Sequence, residues 1–136
     1  GIIWGTQAAA KHMRARGSGS IVNIASVSAH MGLPNAMVYC GIKAAVEGMT
    51  RSSAIELAPS AIRVNAVAPS TVATEGVRAM LDDATFEARV ASTPLGRLGE
   101  TSDIAEAVLF FADSARSGFV TGQSLLVDGG ISIALR

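Results

Sequence analysis

The chain is short of several things at once. Its 136 residues hold one cysteine, one tyrosine and one tryptophan. A lone Cys40 cannot form a disulfide within the chain and is compatible with a reducing compartment. No apolar run approaches the ~20 residues that a membrane-spanning helix needs, and no secretory signal pattern is present. Charge of one sign is also lacking, because 11 basic residues balance 11 acidic ones. There is thus no basic stripe for nucleic acid and no Lys/Arg-rich amphipathic face for a membrane surface. The two histidines, His12 and His30, have no carboxylates at metal-ligand spacing, which argues against a metal site. What is present is 49% hydrophobic and only 16% charged, with Gly and Ala abundant. That composition, free of repeats and low-complexity tracts, suits one tightly packed α/β domain better than a disordered chain.

The chain opens Gly1-Ile2-Ile3-Trp4-Gly5 with neither a Met nor an N-cap signal, as if inside a helix, so a fragment is expected. Residues 2–16 favour a helix with basic residues crowding its end, and Gly17-Ser18-Gly19 stops it. Gly17-x-Gly19 follows a helix and precedes a strand, the reverse of a dinucleotide-binding context, and reads as a turn. Ile21–Ala25 is a β-branched run without alternation, as in a parallel strand covered on both faces. It ends at Ser26, and ligands of open parallel sheets bind beyond the carboxyl ends of strands. A helix is expected from about Met37 to Ala58, ended by Pro59. Ile62–Ala68 reads as a second strand stopped by Pro69. Residues 76–91 read as one short amphipathic segment. Ser102 or Thr101 is expected to cap a helix running to about Asp113, and Ser124–Val127 reads as a third strand ended by Asp128-Gly129-Gly130. Strands separated by helices imply right-handed crossovers and a parallel sheet with helices on both faces.

The chemistry concentrates in Ser26–Lys43. Tyr39 and Lys43 are four residues apart on the long helix, so they share a face, and Ser26 can meet them across a loop. A tyrosine hydroxyl, with an ordinary pKa of about 10, is a poor acid or base at neutral pH. A nearby ammonium favours the phenolate. A tyrosine so placed can pass a proton to or from an alcohol or ketone oxygen, which a serine hydroxyl holds. Tyr-x-x-x-Lys on a helix is common and means little alone; the strand-end position of Ser26 is what strengthens it. Cys40, without a partner base, reads as a small packed residue. Phe110, Phe111 and the methionines read as core or interface, His12 as exposed, and Trp4 as facing the core or a neighbouring subunit.

Taken together, these residues resemble the C-terminal half of a short-chain dehydrogenase/reductase of the compact soluble branch, over essentially the whole chain. Ser26, Tyr39 thirteen residues on and Lys43 look like that family's catalytic set. Arg63–Pro69 looks like its sixth strand. Pro69-Ser70-Thr71-Val72-Ala73-Thr74 is similar to its cofactor loop. Pro94-Leu95-Gly96-Arg97, Val120-Thr121-Gly122-Gln123 and Val127-Asp128-Gly129-Gly130 look like its closing signatures. The resemblance implies a Rossmann-like, doubly wound parallel sheet lacking its N-terminal strands, with residues 1–136 as the C-terminal part of one such domain. It implies NAD or NADP as cofactor, a small-molecule alcohol or ketone as substrate, a cytoplasmic location, and a homotetramer in which the Tyr39 helix packs on its copy. Tyr39 would be the general acid/base, Lys43 its cationic neighbour and a ligand of the nicotinamide ribose, and Ser26 the residue orienting the substrate oxygen. Ile24, Ala25, Pro69, Ser70, Val72 and Thr74 would line the cofactor site with Tyr39 and Lys43. Val27 and His30 would join Ser26 and Tyr39 on the substrate side, although polar surface is the plainer reading of His30.

The pattern departs from the family at Ser70, which stands in place of glycine after Pro69; a positive φ there would suit serine poorly. The family's Gly-rich phosphate loop, ribose selector and helix asparagine would all fall upstream of Gly1. A non-catalytic relative that binds or assembles is the main alternative, and an intact Ser26/Tyr39/Lys43 set speaks against it. The larger sugar-nucleotide epimerase/dehydratase branch also uses Tyr-x-x-x-Lys, but the short C-terminal region disfavours it. Substrate shape is expected to be set by residues 27–34 and 75–90, whose small and apolar side chains suggest a modest apolar carbonyl compound.

Overall fold

The computed structural model describes residues 1–134. Three strands, β1 (Gly19–Ile24), β2 (Ile62–Pro69) and β3 (Ser124–Val127), lie side by side in the order β1-β2-β3, and both pairings are parallel. The register sets Gly19 opposite Ile62 and Ile24 opposite Val67, then Ala66 opposite Ser124 and Pro69 opposite Val127. Parallel strands need long crossovers, and helices supply them. Helix α1 (Ile2–Arg16) precedes β1, α2 (Met37–Leu57) joins β1 to β2, and α3 to α6 lie between β2 and β3.

Successive residues of β2 point to opposite faces. Ile62, Val64, Ala66 and Ala68 pack on one face against α1 and α2, through Ala10, Val46, Ala54 and Leu57. Val67 packs on the other face against Ala107 and Phe111 of α5 (Thr101–Ala112). Val64, Ala66, Val67 and Ala68 are fully buried. The doubly wound α/β arrangement expected from the strand–helix alternation is therefore present, with β2 central and β1 and β3 on either side. β2 also carries one polar anchor. The Asn65 amide is buried between β2 and the turn before β3, donating to the Val120 carbonyl and accepting from Gln123 N–H.

Helix ends follow local chemistry. Gly17 takes φ 69° and returns its N–H to the Arg14 carbonyl, ending α1 in a conformation that glycine adopts without a Cβ penalty. Pro59 falls in a 3₁₀ turn, Ala58–Ser60, that closes α2. Two expectations need correction. The segment 76–91 is two helices, α3 (Glu75–Met80) and α4 (Asp83–Ser92), separated by extended backbone at Leu81 and Asp82. The Asp82 carboxylate accepts from Thr85 N–H at 2.7 Å, and this cap competes with helix continuation. The cap of α5 is Glu100 rather than Ser102 or Thr101. Glu100 and Asp103 form a reciprocal capping box, and Asp103 also grips Arg97. That grip holds the chain just ahead of α5, so Thr101 is already helical. A short α6 (Ser114–Ser117) follows α5. Trp4 is 78% exposed and is no part of the core; Phe111 is buried. Among the described residues no helix is long and apolar enough to cross a membrane, and none form a cluster that could hold a metal ion.

Candidate active site

The ladder of β1 continues one residue past the strand, where Ala25 N–H donates to the Val67 carbonyl. Ser26 then caps a single 3₁₀ turn, Val27–Ala29, accepting from Ser28 N–H at 3.2 Å. Its Oγ also lies 3.0 Å from the Ser28 Oγ, and both serines are buried. Tyr39 sits in the first turn of α2 and is half exposed. One turn on, the Lys43 ammonium donates to the Ile24 carbonyl at 3.1 Å and lies 5.8 Å from the centre of the Tyr39 ring. The start of α2 is thereby fastened to the carboxyl end of β1. An ammonium has three N–H donors, and this bond uses one.

A cleft of about 570 Å³ opens between this corner and the end of β2. Ser26, Val27 and Tyr39 line one side, and Ser70, Val72 and Thr74 the other. Thr74 caps α3 by accepting from Val77 N–H at 3.2 Å, which leaves its hydroxyl hydrogen to donate elsewhere. Ser70 extends the β2–β3 ladder by donating its N–H to the Val127 carbonyl at 3.1 Å. Among the described non-glycine residues only Asn35 and Ala61 have positive φ, so serine at position 70 carries no backbone strain. The departure from glycine is accommodated.

The other named residues sit behind or beside the cleft. Ile24 contributes its carbonyl to Lys43, Ala25 is buried beneath the corner, and Pro69 ends β2. His30 turns away, and its Nε2 lies 2.7 Å from the Glu47 carboxylate of α2, which also accepts from Ser124 Oγ at 2.6 Å. His30 is not among the residues lining the cleft. Cys40 is half-buried, its thiol 4.0 Å from the Met31 carbonyl. Three residues went unsingled by the sequence. Ser28 and Arg89 both line the cleft, within segments 27–34 and 75–90 but with nothing local to mark them. Glu47, one turn beyond Lys43 on α2, is a buried carboxylate.

The donor set suits the nicotinamide end of a dinucleotide. A threonine hydroxyl with a hydrogen to give, a lysine ammonium with donors beyond its carbonyl bond, and serine and tyrosine hydroxyls on one cleft match a carboxamide, a ribose and a reacting oxygen. Such an arrangement can hold an oxygen between two hydroxyls and move a proton on or off it.

The family profile described as Enoyl-(Acyl carrier protein) reductase matches residues 1–132. The 3alpha-hydroxysteroid dehydrogenase of Mediterraneibacter gnavus is 47% identical over 91% of this chain and 49% of its own length. The inactive 2-(S)-hydroxypropyl-CoM dehydrogenase 2 of Xanthobacter autotrophicus is 42% identical over 97% of this chain and 59% of its own. A gluconate 5-dehydrogenase from Burkholderia cenocepacia, solved with NADP and tartrate, superposes with a TM-score of 0.91 at 38% identity, covering 98% of this chain and 52% of that one. The chain spans about half the length of the curated relatives it matches.

Proposed function

The chain belongs to the short-chain dehydrogenase/reductase family, and we propose that it forms the catalytic half of an NAD(P)-dependent oxidoreductase that interconverts a secondary alcohol and a ketone. The observation that carries this reading is the shared cleft. Ser26 and Tyr39 line it from one side and the Ser70–Thr74 segment from the other, with Lys43 fastened behind Tyr39.

When bound, the nicotinamide supplies or accepts the hydride at the substrate carbon. This chain's residues do the rest. Ser26 donates a hydrogen bond to the substrate oxygen, and Tyr39 gives a proton to that oxygen in reduction or takes it in oxidation. Lys43, fastened to the end of β1 one turn beyond Tyr39, holds the ribose. Thr74 donates to the carboxamide, with Val72 and Ser70 forming the adjoining wall. The relatives with NAD(P) bound and the family profile support the cofactor class.

Three side chains on α2, Met37, Val38 and Ile42, are largely exposed. They support a homo-oligomer, a tetramer in this reading, in which α2 packs on its copy. A cytoplasmic location is in keeping with the single cysteine. A relative named inactive keeps a binding or assembly role as the second reading. The deciding experiment uses the complete protein with 4-deuterated NADH or NADPH and a panel of ketones. Deuterium at the carbinol carbon of the product supports the oxidoreductase. No label transfer to any ketone supports the second reading.

A further inference from the structure

Much of the cleft wall around the Ser26 and Tyr39 hydroxyls is apolar. Met31 and Leu33 come from the loop after β1, and Val77, Met80 and Leu81 from α3 and its end. Of the fifteen residues that line the cleft, Arg89 of α4 alone is charged, and no carboxylate is among them. Its guanidinium is held in place by a 2.8 Å bond from Nη1 to the Thr71 hydroxyl. Among the described residues no carboxylate pairs with it, for the ion pairs are His30–Glu47, Arg97–Asp103 and Arg116–Asp113. The other arginine of this region, Arg78, stacks over Phe86 in a separate groove.

A guanidinium offers five N–H donors in a planar fork that fits a carboxylate with two parallel bonds. Anchoring by Thr71 reduces the freedom lost when such a pair forms. One cation facing apolar walls matches one negative charge on an apolar body. A dianion such as a phosphate monoester would bring a second charge that the cleft does not compensate.

We propose that Arg89 is a substrate-binding residue and that the substrate is a monoanionic hydroxy or keto acid. Its carboxylate pairs with Arg89, its apolar body lies along Val77, Met80 and Leu81, and its reacting oxygen reaches Ser26 and Tyr39. This rests on the oxidoreductase reading for the reaction, but the binding claim stands apart from it.

The test uses the complete protein and two probes of one shape, cyclohexanecarboxylate and cyclohexanecarboxamide, with affinities measured calorimetrically in the presence of NAD(P)+. The wild type should favour the carboxylate at least about tenfold. In Arg89→Gln that preference should fall about tenfold to a hundredfold, the range for a hydrogen bond to a charged group, and Arg89→Lys should keep part of it. Equal affinity of the two probes in the wild type overturns the proposal without need of a variant, and so does a preference that survives Arg89→Gln. Reduction of neutral cyclohexanone with no preference for 4-oxocyclohexanecarboxylate overturns the proposal and leaves the oxidoreductase reading standing. Arg89-dependent carboxylate binding without hydride transfer to any ketone upholds the proposal and removes that reading.

Discussion

The hydroxyl oxygens of Ser26 and Ser28 lie 3.0 Å apart at the end of β1, and the Ser28 N–H donates to the same Ser26 oxygen. With the Ser28 hydroxyl as donor, both acceptor positions of Ser26 are filled and its own hydrogen is left to donate into the cleft. That is the role a substrate oxygen requires of it. Ser28→Ala in the complete protein should then lower kcat about threefold to tenfold, in line with ~1 kcal/mol for one neutral hydrogen bond. KM should change little, and Ser28→Thr should restore most of the loss. A kcat unchanged by Ser28→Ala would remove Ser28 from the positioning of Ser26.

Glu47 joins three parts of the fold. Its buried carboxylate accepts from His30 in the loop after Ser26 and from Ser124 at the start of β3, while its backbone belongs to α2. Glu47→Ala leaves both partners without an acceptor and should cost about 1–3 kcal/mol. His30 is more exposed than Glu47, with side chains 37% and 8% accessible, so His30→Ala should cost less. Urea unfolding of the complete protein, compared at matched slope, measures both. A larger loss from His30→Ala than from Glu47→Ala would contradict the central place given to the carboxylate.

Asp103 provides a pH signature. The Arg97 fork, and after it the Glu100 N–H, hold its carboxyl at about 2, below the ordinary 3.8. The folded state therefore binds this proton less readily than the unfolded one. The stabilisation is full above about pH 3.8 and is lost as pH falls through about 2. Wild type should melt above Asp103→Asn at pH 6, with the gap narrowing between pH 4 and pH 2. The pair lies at the protein surface, so the gap should be small and reduced by salt. A gap that stays constant across that range would show that the capping geometry, rather than the charge, carries the effect.

Much of the fold was legible because its signals are local. β1 holds a β-branched run, β2 is ended by Pro69, and α2 carries Val46, Thr50, Ala54 and Leu57 at helical spacing before Pro59. The break at Leu81–Asp82 was not legible, because the apolar spacing of Val77, Met80, Leu81, Phe86 and Val90 runs on through it while the Asp82 cap interrupts the backbone. The Glu100 cap was hidden for a related reason. Ser and Thr rank higher as caps in isolation, and only the Arg97–Asp103 pair shows which residue holds the end. At the site, Tyr39 and Lys43 stand out by their spacing only once the strand-end position of Ser26 is set beside it. Ser28 and Arg89 do not, since the role of Ser28 shows only in the turn that brings its hydroxyl to the Ser26 oxygen, and that of Arg89 only in its bond to Thr71 eighteen residues away. His30 could be placed near the site by sequence, but its Glu47 partner is seventeen residues away and only the packing of α2 brings them together.

The central claim is that Tyr39 passes the proton at the cleft. The most direct test is Tyr39→Phe in the complete protein, with ketone reduction and NAD(P)H binding measured on the same preparation. The account predicts that reduction falls by about a hundredfold to ten-thousandfold, the range for loss of a general acid, while NAD(P)H binding is largely kept. Near-normal reduction by Tyr39→Phe would contradict it.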